Sequence, residues 1–363
     1  MRMLYYVLKR LLFIIPTLIG LSIFAFILMS LLPQTLLEAQ FINPNSTLPI
    51  KVQLHDAAIQ LGLNYPKPVQ YIFYINGLLH GNFGFMNTSF YSGPVLTGIE
   101  EFFPNTVQLV VISLIVSLLI AVPLGTYIGN KPGSLSDHAA RIFTLTGFAM
   151  PAFWLGLMLQ ILFGKGILNL PISVLPISGI VSSSAIPNPL PYWLHSPNSS
   201  VLISSPTHMI LIDALIHGDF TLAYSAFLHL ILPVATLSYA LIAGIIRFMR
   251  AGIVDASRQE FVKTARAKGV PENLVLKKHI RKNGLTSTIT VIGLLLADLL
   301  GGVVLVETVF QYPGMGLLSV NAALYYQIYG VMGTTIFFGL VLMIVILLTD
   351  IAYAYIDPRI RYE

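Results

Sequence analysis

The sequence predicts an all-α membrane protein with six transmembrane helices. Three observations lead to this fold class: a mean hydropathy of +0.81, a charged fraction of only 10%, and six long apolar runs. Soluble domains carry about 25% charged residues, so a soluble protein is excluded. Crossing a ~30 Å hydrocarbon core takes about 20 helical residues. Backbone groups in lipid must be hydrogen-bonded within their own segment, so these runs are expected to be helices rather than strands.

The six apolar runs are taken in chain order. The first follows Lys9 and Arg10 and is longer than the apolar core of a signal peptide, so we expect it to stay as an anchor helix. Pro151 in the third run and Pro233 in the fourth are expected to kink their helices. The predicted spans are Leu11–Leu32, Thr106–Gly129, Ile142–Phe163, Leu230–Ile246 extended at both ends, Leu285–Val306 and Gly330–Ile356.

The distribution of Lys and Arg predicts that both termini lie in the cytoplasm. With the N-terminus inside and six crossings, all of the 20 Lys and Arg residues fall on inner segments except Lys51, Lys67 and Lys165. Such an asymmetry favours this orientation. The net charge of +5 needs no nucleic-acid partner, because the inner basic residues face anionic membrane lipid.

The spans divide the chain into three parts. Residues 1–32 form the first helix, 33–103 a long outer segment, and 104–363 a five-helix domain with an outer segment at 165–225 and an inner loop at 251–284. Aromatic and apolar residues in the first outer segment indicate that it lies on the membrane surface or forms a small outer subdomain; they are Tyr71, Phe73, Tyr74, Leu78 and Leu79. The second outer segment is expected to be irregular around Asn188, Pro189, Pro191, Tyr192 and Trp193.

A basic stretch from Ser257 to Asn283 stands out in the inner loop. Ser257 and Glu260 have the spacing of a capping box, and Gly269 followed by Pro271 is a helix stop. The pattern predicts a helix over Arg258–Lys268 and a second helix from Pro271 to about Asn283. Such a pair of helices either docks onto another protein or lies on anionic lipid.

Several catalytic chemistries are excluded by the sequence. The chain has no cysteine, no Gly-x-x-x-x-Gly-Lys-Ser/Thr loop and no His-Glu-x-x-His motif, and its eight histidines show no metal-ligand spacing. We therefore expect no catalytic residue and no metal site. If ATP drives this protein, a separate chain binds the nucleotide.

Two acids, Asp298 and Asp350, lie inside apolar runs, and a carboxylate in a membrane span is a functional hypothesis because its burial is costly. A protease dyad of the two lacks the Tyr-Asp and Gly-x-Gly-Asp contexts. Asp298 remains open between a proton or substrate-ammonium site, a helix–helix hydrogen bond and a water-facing position. Asp350, near Tyr355, is expected to make a structural pairing.

Three further residues have alternative interpretations. Glu307, at the outer end of the fifth span, contacts substrate or a binding protein, or else serves as a solvated cap or loop anchor. The bend at Pro151 either serves gating or is an ordinary kink. Trp154, like Trp193, is expected to pack or to anchor the chain at the membrane interface.

The inner loop resembles the "EAA" loop of the permease subunits of ABC importers, in the dipeptide/oligopeptide/nickel branch. Lys263-Thr264-Ala265 stands for Glu-Ala-Ala, Gly269 for its glycine, and His279 with Asn283 resembles the downstream HxLRN element. The resemblance covers nearly the whole chain, through Lys9–Phe26, Leu61–Tyr71, Pro104–Thr106, Pro151–Gly156, Leu175–Gly179, His229–Pro233, Glu307–Phe310, Pro313–Gly316 and Asp357–Arg361.

The resemblance implies a subunit of an importer in the inner (cytoplasmic) membrane. It implies a second, homologous permease, two cytosolic ATPase subunits that bind ATP and Mg²⁺, an extracytoplasmic solute-binding protein, and no cofactor on this chain. Peptides are the first expectation for the substrate, with oligosaccharides or nickel as alternatives. A stand-alone secondary transporter or channel is the competing class, and only Asp298 favours it.

The resemblance also assigns residue roles. Phe261, Val262, Ala265 and Gly269 are expected to contact the ATPase, and Arg266 and Lys268 to pair with its acids. The whole predicted coupling set is Glu260, Phe261, Val262, Thr264, Ala265, Arg266, Ala267, Lys268 and Gly269. Candidates for the translocation pathway are Pro151, Trp154, Asp298 and Glu307.

Overall fold

Long helices dominate the computed structural model, which describes residues 2–31, 33, 42, 46–60, 62, 64–164, 175–187, 190, 191, 193, 194 and 205–356. The helices are α1 (Arg2–Ser30), α2 (Ile50–Gln60), α3 (Lys67–Leu79), α4 (Val95–Asn130), α5 (Leu135–Ala149), α6 (Ala152–Gly164), α7 (Ile210–Ile216), α8 (Phe220–Ser257), α9 (Glu260–Ala267), α10 (Glu272–Leu274), α11 (Arg281–Phe310), α12 (Met315–Leu324) and α13 (Ile328–Ile356). A short antiparallel hairpin pairs β1 (Phe85–Asn87) with β2 (Ser92–Pro94).

Five of these helices are long and apolar enough to cross a membrane, which confirms the predicted all-α, multi-pass fold. Their candidate spans are Leu12–Ser30, Val95–Asn130, Phe220–Ser257, Val291–Phe310 and Ile328–Ile351. The predicted third span is instead the pair α5 and α6, bent by 106°. Met150 leaves the helical conformation, and Pro151 has no N–H to continue the ladder, so the kink expected at Pro151 is a complete break.

Helix α8 lies at the centre of the bundle. Of its most apolar window 72% is buried, against 17–33% in the other four single-helix spans, and it packs against α4, α5, α6, α7 and α11. It continues through Pro233 as one helix. Small residues permit its close contacts with neighbouring helices. Gly147 of α5 packs directly against Ala243, and a Cβ added to Gly125 of α4 would lie only 2.7 Å from the Cβ of Met249. Close packing of this kind holds helices together in lipid.

Helices α8 and α11 approach each other closely enough for their backbones to be in contact. A Cβ added to Gly252 would lie 2.7 Å from the carbonyl oxygen of Gly284, so no side chain fits between the two helices there. Ile253 fills the space beside this contact, 3.1 Å from a Cβ on Gly284. The crossing lies one to two turns before the end of α8, next to the basic stretch.

A buried ion-pair cluster ties α5 to α8 near the same end of the bundle. Asp137, in the first turn of α5, is fully buried and accepts hydrogen bonds from the Gly133 amide (2.9 Å), Arg141 Nη2 (3.0 Å), and both Nε and Nη2 of Arg250 on α8. The end of the bundle that carries this cluster and residues 258–282 is called the basic end below.

The described part of the first outer segment packs onto the bundle rather than forming a separate core. Tyr74 of α3 is buried, and the Tyr71 hydroxyl lies 2.9 Å from that of Ser22 on α1. Met86 of the hairpin is buried in one cluster with residues of α12 and α13, whereas Phe73 and Leu79 stay exposed. This cluster includes Phe26, Tyr74, Met86, Tyr91, Phe102, Met315, Leu318 and Tyr329.

The second outer segment is described only in part, and Asn188, Pro189 and Tyr192 lie outside the described residues. Trp193 is buried and stacks on the His217 ring with centroids 4.5 Å apart, in agreement with its predicted packing role. Asp350 pairs with Arg10 Nη1 of α1 at 3.0 Å, so the expected structural pairing is present, with Arg10 as its partner.

Replacing Asp137 with Asn is expected to lower the stability of the protein strongly. The variant keeps the shape of the side chain but leaves two arginines without their counter-charge, and breaking a buried ion pair costs about 3–5 kcal/mol. Thermal unfolding of the purified protein measures the effect. Glu260→Gln is the control, because it breaks the exposed Lys263–Glu260 pair, whose contribution is about 0–1 kcal/mol. Equal stability losses in the two variants would contradict the role assigned to Asp137.

Replacing Gly252 with Ala is expected to force α8 and α11 apart and to cost about 1–3 kcal/mol, as for other overpacked contacts. Gly244→Ala on the same helix is the matched control. Its methyl group meets only the end of the Leu295 side chain, 2.8 Å away, which can rotate aside. Unfolding of both variants in detergent should show a loss of stability for Gly252→Ala alone. Similar unfolding curves for the two variants would refute the backbone contact.

Candidate coupling site

The connection from α8 to α9 differs from the prediction. Ser257 is the last residue of α8, and its hydroxyl donates to the Val254 carbonyl (2.7 Å) rather than capping the next helix. Gln259 is the N-cap residue, and α9 spans Glu260–Ala267 instead of Arg258–Lys268. The predicted capping box is therefore wrong, because the hydroxyl of a helical serine bonds back to its own preceding turn.

The end of α9 has the predicted glycine stop. Gly269 has φ +73°, its N–H donates to the Arg266 carbonyl (2.9 Å), and the N–H of Val270 donates to the Ala265 carbonyl (3.2 Å). This pair of bonds is a Schellman motif. A Cβ on Gly269 would have no neighbour within 4 Å, so the backbone conformation, not the available space, favours glycine here.

The second predicted helix does not end near Asn283. After Pro271, α10 passes into a π-helical turn at Val275–Ile280 and then directly into α11, which continues to Phe310. Only residues 268–271 separate α9 from this continuous helical segment. The α9 helix is thus connected closely to α8 on one side and to α11 on the other.

The inward side of α9 packs into a small apolar core at the basic end. Val262 is fully buried and Ala265 nearly so, and both belong to a cluster with residues of α8 and of the π-helical turn. This core therefore joins α9 to the end of α8 and to the π-helical turn that leads into α11. The cluster consists of Met249, Ile253, Ala256, Val262, Ala265, Val275 and Ile280.

The outward side of α9 is available to a partner. Phe261 is 40% exposed, and Thr264, Lys268 and Gly269 are also exposed. The contact face expected from the sequence is therefore divided. Phe261 and Gly269 point outward, whereas Val262 and Ala265 support α9 from inside; Glu260 and Ala267 are exposed at its two ends.

The charged residues of α9 are partly paired within the chain. Arg266 donates to both carboxylate oxygens of Glu272, from Nε (3.0 Å) and Nη2 (2.6 Å), and this hydrogen bonding lowers the pKa of Glu272. Lys263 Nζ donates to Glu260 (2.7 Å). Lys268 makes no ion pair among the described residues, so it is better placed than Arg266 to meet an acid on another protein.

Of the predicted pathway residues, Glu307 is an anchor. It is fully buried, accepts from Thr106 Oγ1 of α4 (2.7 Å), and accepts from the amides of Gly316 (2.7 Å) and Leu317 (3.1 Å) in the first turn of α12. The solvated-cap interpretation is wrong, since the carboxylate is enclosed. Glu307 instead joins α11, α4 and α12 at the end opposite the basic end.

The other pathway candidates are exposed on the surface of the bundle. Asp298 lies in the middle of α11, on a stripe with Leu294, Gly301 and Leu305, and makes no hydrogen bond or ion pair among the described residues. A helix–helix hydrogen bond within the described chain is therefore not its role. Pro151 and Trp154 lie at the α5–α6 break and are also exposed.

Sequence reasoning missed the Asp137 cluster and the Gly252–Gly284 contact. A signal was present for the first, because Ser134 three residues before Asp137 is an N-cap pattern, and the Ser134 hydroxyl accepts from the Asp137 amide. Nothing local signals that Arg250, 113 positions away, would be its partner.

Comparison with known proteins places the chain in a family. Residues 121–362 match the family model described as "Binding-protein-dependent transport system inner membrane component". A probable D,D-dipeptide transport system permease of Escherichia coli is 36% identical over 302 residues, covering 83% of this chain and 82% of its own.

Two relatives match over almost the full length. A dipeptide transport system permease of Alkalihalophilus pseudofirmus is 32% identical over 362 residues (99% of this chain, 100% of the relative). An oligopeptide transport system permease of Bacillus subtilis is 31% identical over 359 residues (98% and 99%). The chain therefore belongs to the inner-membrane permease components of binding-protein-dependent ABC transport systems, and it is a multi-pass inner-membrane protein.

Proposed function

We propose that this chain is one of two permease subunits of an ATP-driven importer of peptides. The names of the full-length relatives, a dipeptide and an oligopeptide permease, support peptides rather than oligosaccharides or nickel. In this proposal a homologous permease completes the pathway, an extracytoplasmic binding protein delivers the peptide, and the chain itself catalyses no reaction. Two cytosolic ATPase subunits bind ATP and Mg²⁺ and supply the energy.

The position of α9 is the observation that carries the proposal. It presents an exposed aromatic side chain, Phe261, outward, while Val262 on its other side is embedded in the core shared with α8 and the π-helical turn that leads into α11. An apolar side chain that enters a pocket on a partner provides binding energy. The buried side then transmits the movement of that partner to the helices.

The path of this movement follows from the packing. Closure of the ATPases around ATP displaces α9, and the shared core moves the ends of α8 and α11 with it. The Gly252–Gly284 backbone contact prevents the two helices from sliding independently. At the opposite end, Glu307 ties α11 to α4 and α12, so a tilt of α11 also moves the part of the protein that faces the binding protein.

Asp298 supports a pathway on the exposed face of α11. A carboxylate at the middle of a membrane span costs about 2.5–3.5 kcal/mol or more if it faces lipid. A water-filled pathway between the two permeases removes this cost. There the carboxylate can attract the ammonium group of a passing peptide, a role that makes Asp298 a specificity residue for positively charged solutes.

Replacing Phe261 with Asp is expected to abolish ATP-dependent peptide uptake in reconstituted vesicles. The side chain is exposed, so the change removes an apolar contact with the ATPase without disturbing the core, and loss of such an anchor weakens binding by about 30-fold or more. Co-purification of the ATPase subunits measures this loss directly.

The matched control is Leu135→Asp, which alters an exposed apolar residue at the same end but at the start of α5. It should retain both the ATPase subunits and uptake. Normal uptake by Phe261→Asp would refute α9 as the coupling helix. Uptake by the wild-type chain alone, without nucleotide or other subunits, would refute the importer itself and favour a stand-alone transporter.

A further inference from the structure

A groove between α5 and α8 has no role in the coupling described above. It has a volume of about 500 Å³ and lies at the basic end, beside the buried Asp137 cluster. Its polar part is formed by Arg141, Arg247 and Arg250. Three guanidinium groups on one groove of a protein with only 10% charged residues require an explanation.

The charges of the groove do not balance. The acid next to the groove is Asp137, whose buried carboxylate accepts hydrogen bonds from Arg141 and Arg250. One negative charge therefore faces three positive ones. The Arg141 side chain is still 54% exposed, so part of its guanidinium remains open to a ligand.

Arg247 is held in place by aromatic rings, and no described acid balances its charge. Its guanidinium lies over the Phe148 ring at 5.5 Å and near the Phe248 ring at 6.0 Å from the centroids, and it makes no ion pair or hydrogen bond among the described residues. Stacking on aromatic faces leaves the N–H groups at the edge of a guanidinium free to donate. Arg247 is therefore a positioned donor that has no acceptor among the residues the structure describes.

The remainder of the groove is apolar. Leu145 and Phe148 lie one and two helical turns beyond Arg141 on α5, in the direction away from the basic end. Their side chains are 69% and 51% exposed. Ile246 of α8 forms the floor between them. The site thus combines guanidinium groups with an apolar wall, and Arg247, which lies over Phe148, stands where the two parts meet. This combination matches a molecule with an anionic head and a hydrocarbon tail.

We propose that the groove binds one anionic phospholipid of the cytoplasmic leaflet. In the predicted N-in orientation the basic end lies at that leaflet, where anionic lipids are concentrated, and basic pockets between membrane helices are typical sites for their headgroups. The phosphate accepts hydrogen bonds from Arg247 and Arg141, and an acyl chain lies along Leu145 and Phe148. A bound lipid would then bridge α5 and α8 beside the Asp137 cluster.

The test measures lipid binding to the purified full-length chain by mass spectrometry of the intact protein. Phosphatidylglycerol and phosphatidylcholine with identical acyl chains are titrated separately. The wild type is expected to retain one phosphatidylglycerol in preference to phosphatidylcholine. Arg247→Gln, which breaks no contact with Asp137, is expected to weaken phosphatidylglycerol binding about fivefold.

Arg258→Gln is the control, because Arg258 is exposed at the same end but lies outside the groove, and its lipid binding should equal that of the wild type. Equal retention of the two lipids by the wild type, or unchanged binding in Arg247→Gln, would overturn the proposal. Two competing ligands, inorganic phosphate and a dipeptide, are then added to test whether the groove binds an anion other than the lipid. Displacement of the lipid by inorganic phosphate alone would indicate a site for free anions, and displacement by a dipeptide through its carboxylate would place the groove on the solute pathway; either result overturns the lipid assignment.

Discussion

The rest of the structure depends on the backbone contact between Gly252 of α8 and Gly284 of α11. Lipid supplies no hydrophobic force to press two helices together, so their association relies on close packing, and glycine permits the closest. The contact lies beside the small core that holds α9. One short, exposed helix is therefore mechanically connected to the two long helices that cross the membrane on either side of it.

Buried carboxylates fix this assembly at both ends of the bundle. Asp137 binds two arginines at the basic end, and Glu307 binds a threonine hydroxyl and the first amides of α12 at the other. Each carboxylate has its hydrogen bonds satisfied, which offsets the cost of its burial. Each of the two acids joins helices that are distant in the sequence.

Much of the fold could be predicted from the sequence, because a membrane span is a local property of about 20 consecutive residues. The six apolar runs and the glycine stop at Gly269 follow from such local patterns. The apolar surroundings of Asp350 predict that it is paired, but they do not identify Arg10 as its partner. At Pro151 the helix is broken completely rather than kinked. Hydropathy could not show this, because it gives the length of an apolar run but not the direction of the helix axis.

The features that were missed depend on contacts between distant positions. Asp137 with Arg250 and Glu307 with Thr106 are separated by 113 and 201 residues, and no single-sequence pattern relates them. The inward direction of Val262 and Ala265 likewise became visible only once α8 and α11 were in place around α9. Hydrophobicity alone could not distinguish a side chain that docks a partner from one that supports the docking helix.

The central claim is that α9 and the adjoining parts of α8 and α11 move as one unit, and a distance measurement tests it most directly. The chain has no cysteine, so cysteines for spin labels can be introduced at Lys263 on α9 and at Leu294 on the exposed face of α11 without a background signal from this chain. Electron–electron resonance distances are recorded in the assembled transporter, without nucleotide and with ATP trapped on the ATPase subunits. The account predicts the same distance in both states, whereas a shift of the distribution on ATP binding would show that α9 moves independently of α11 and would contradict it.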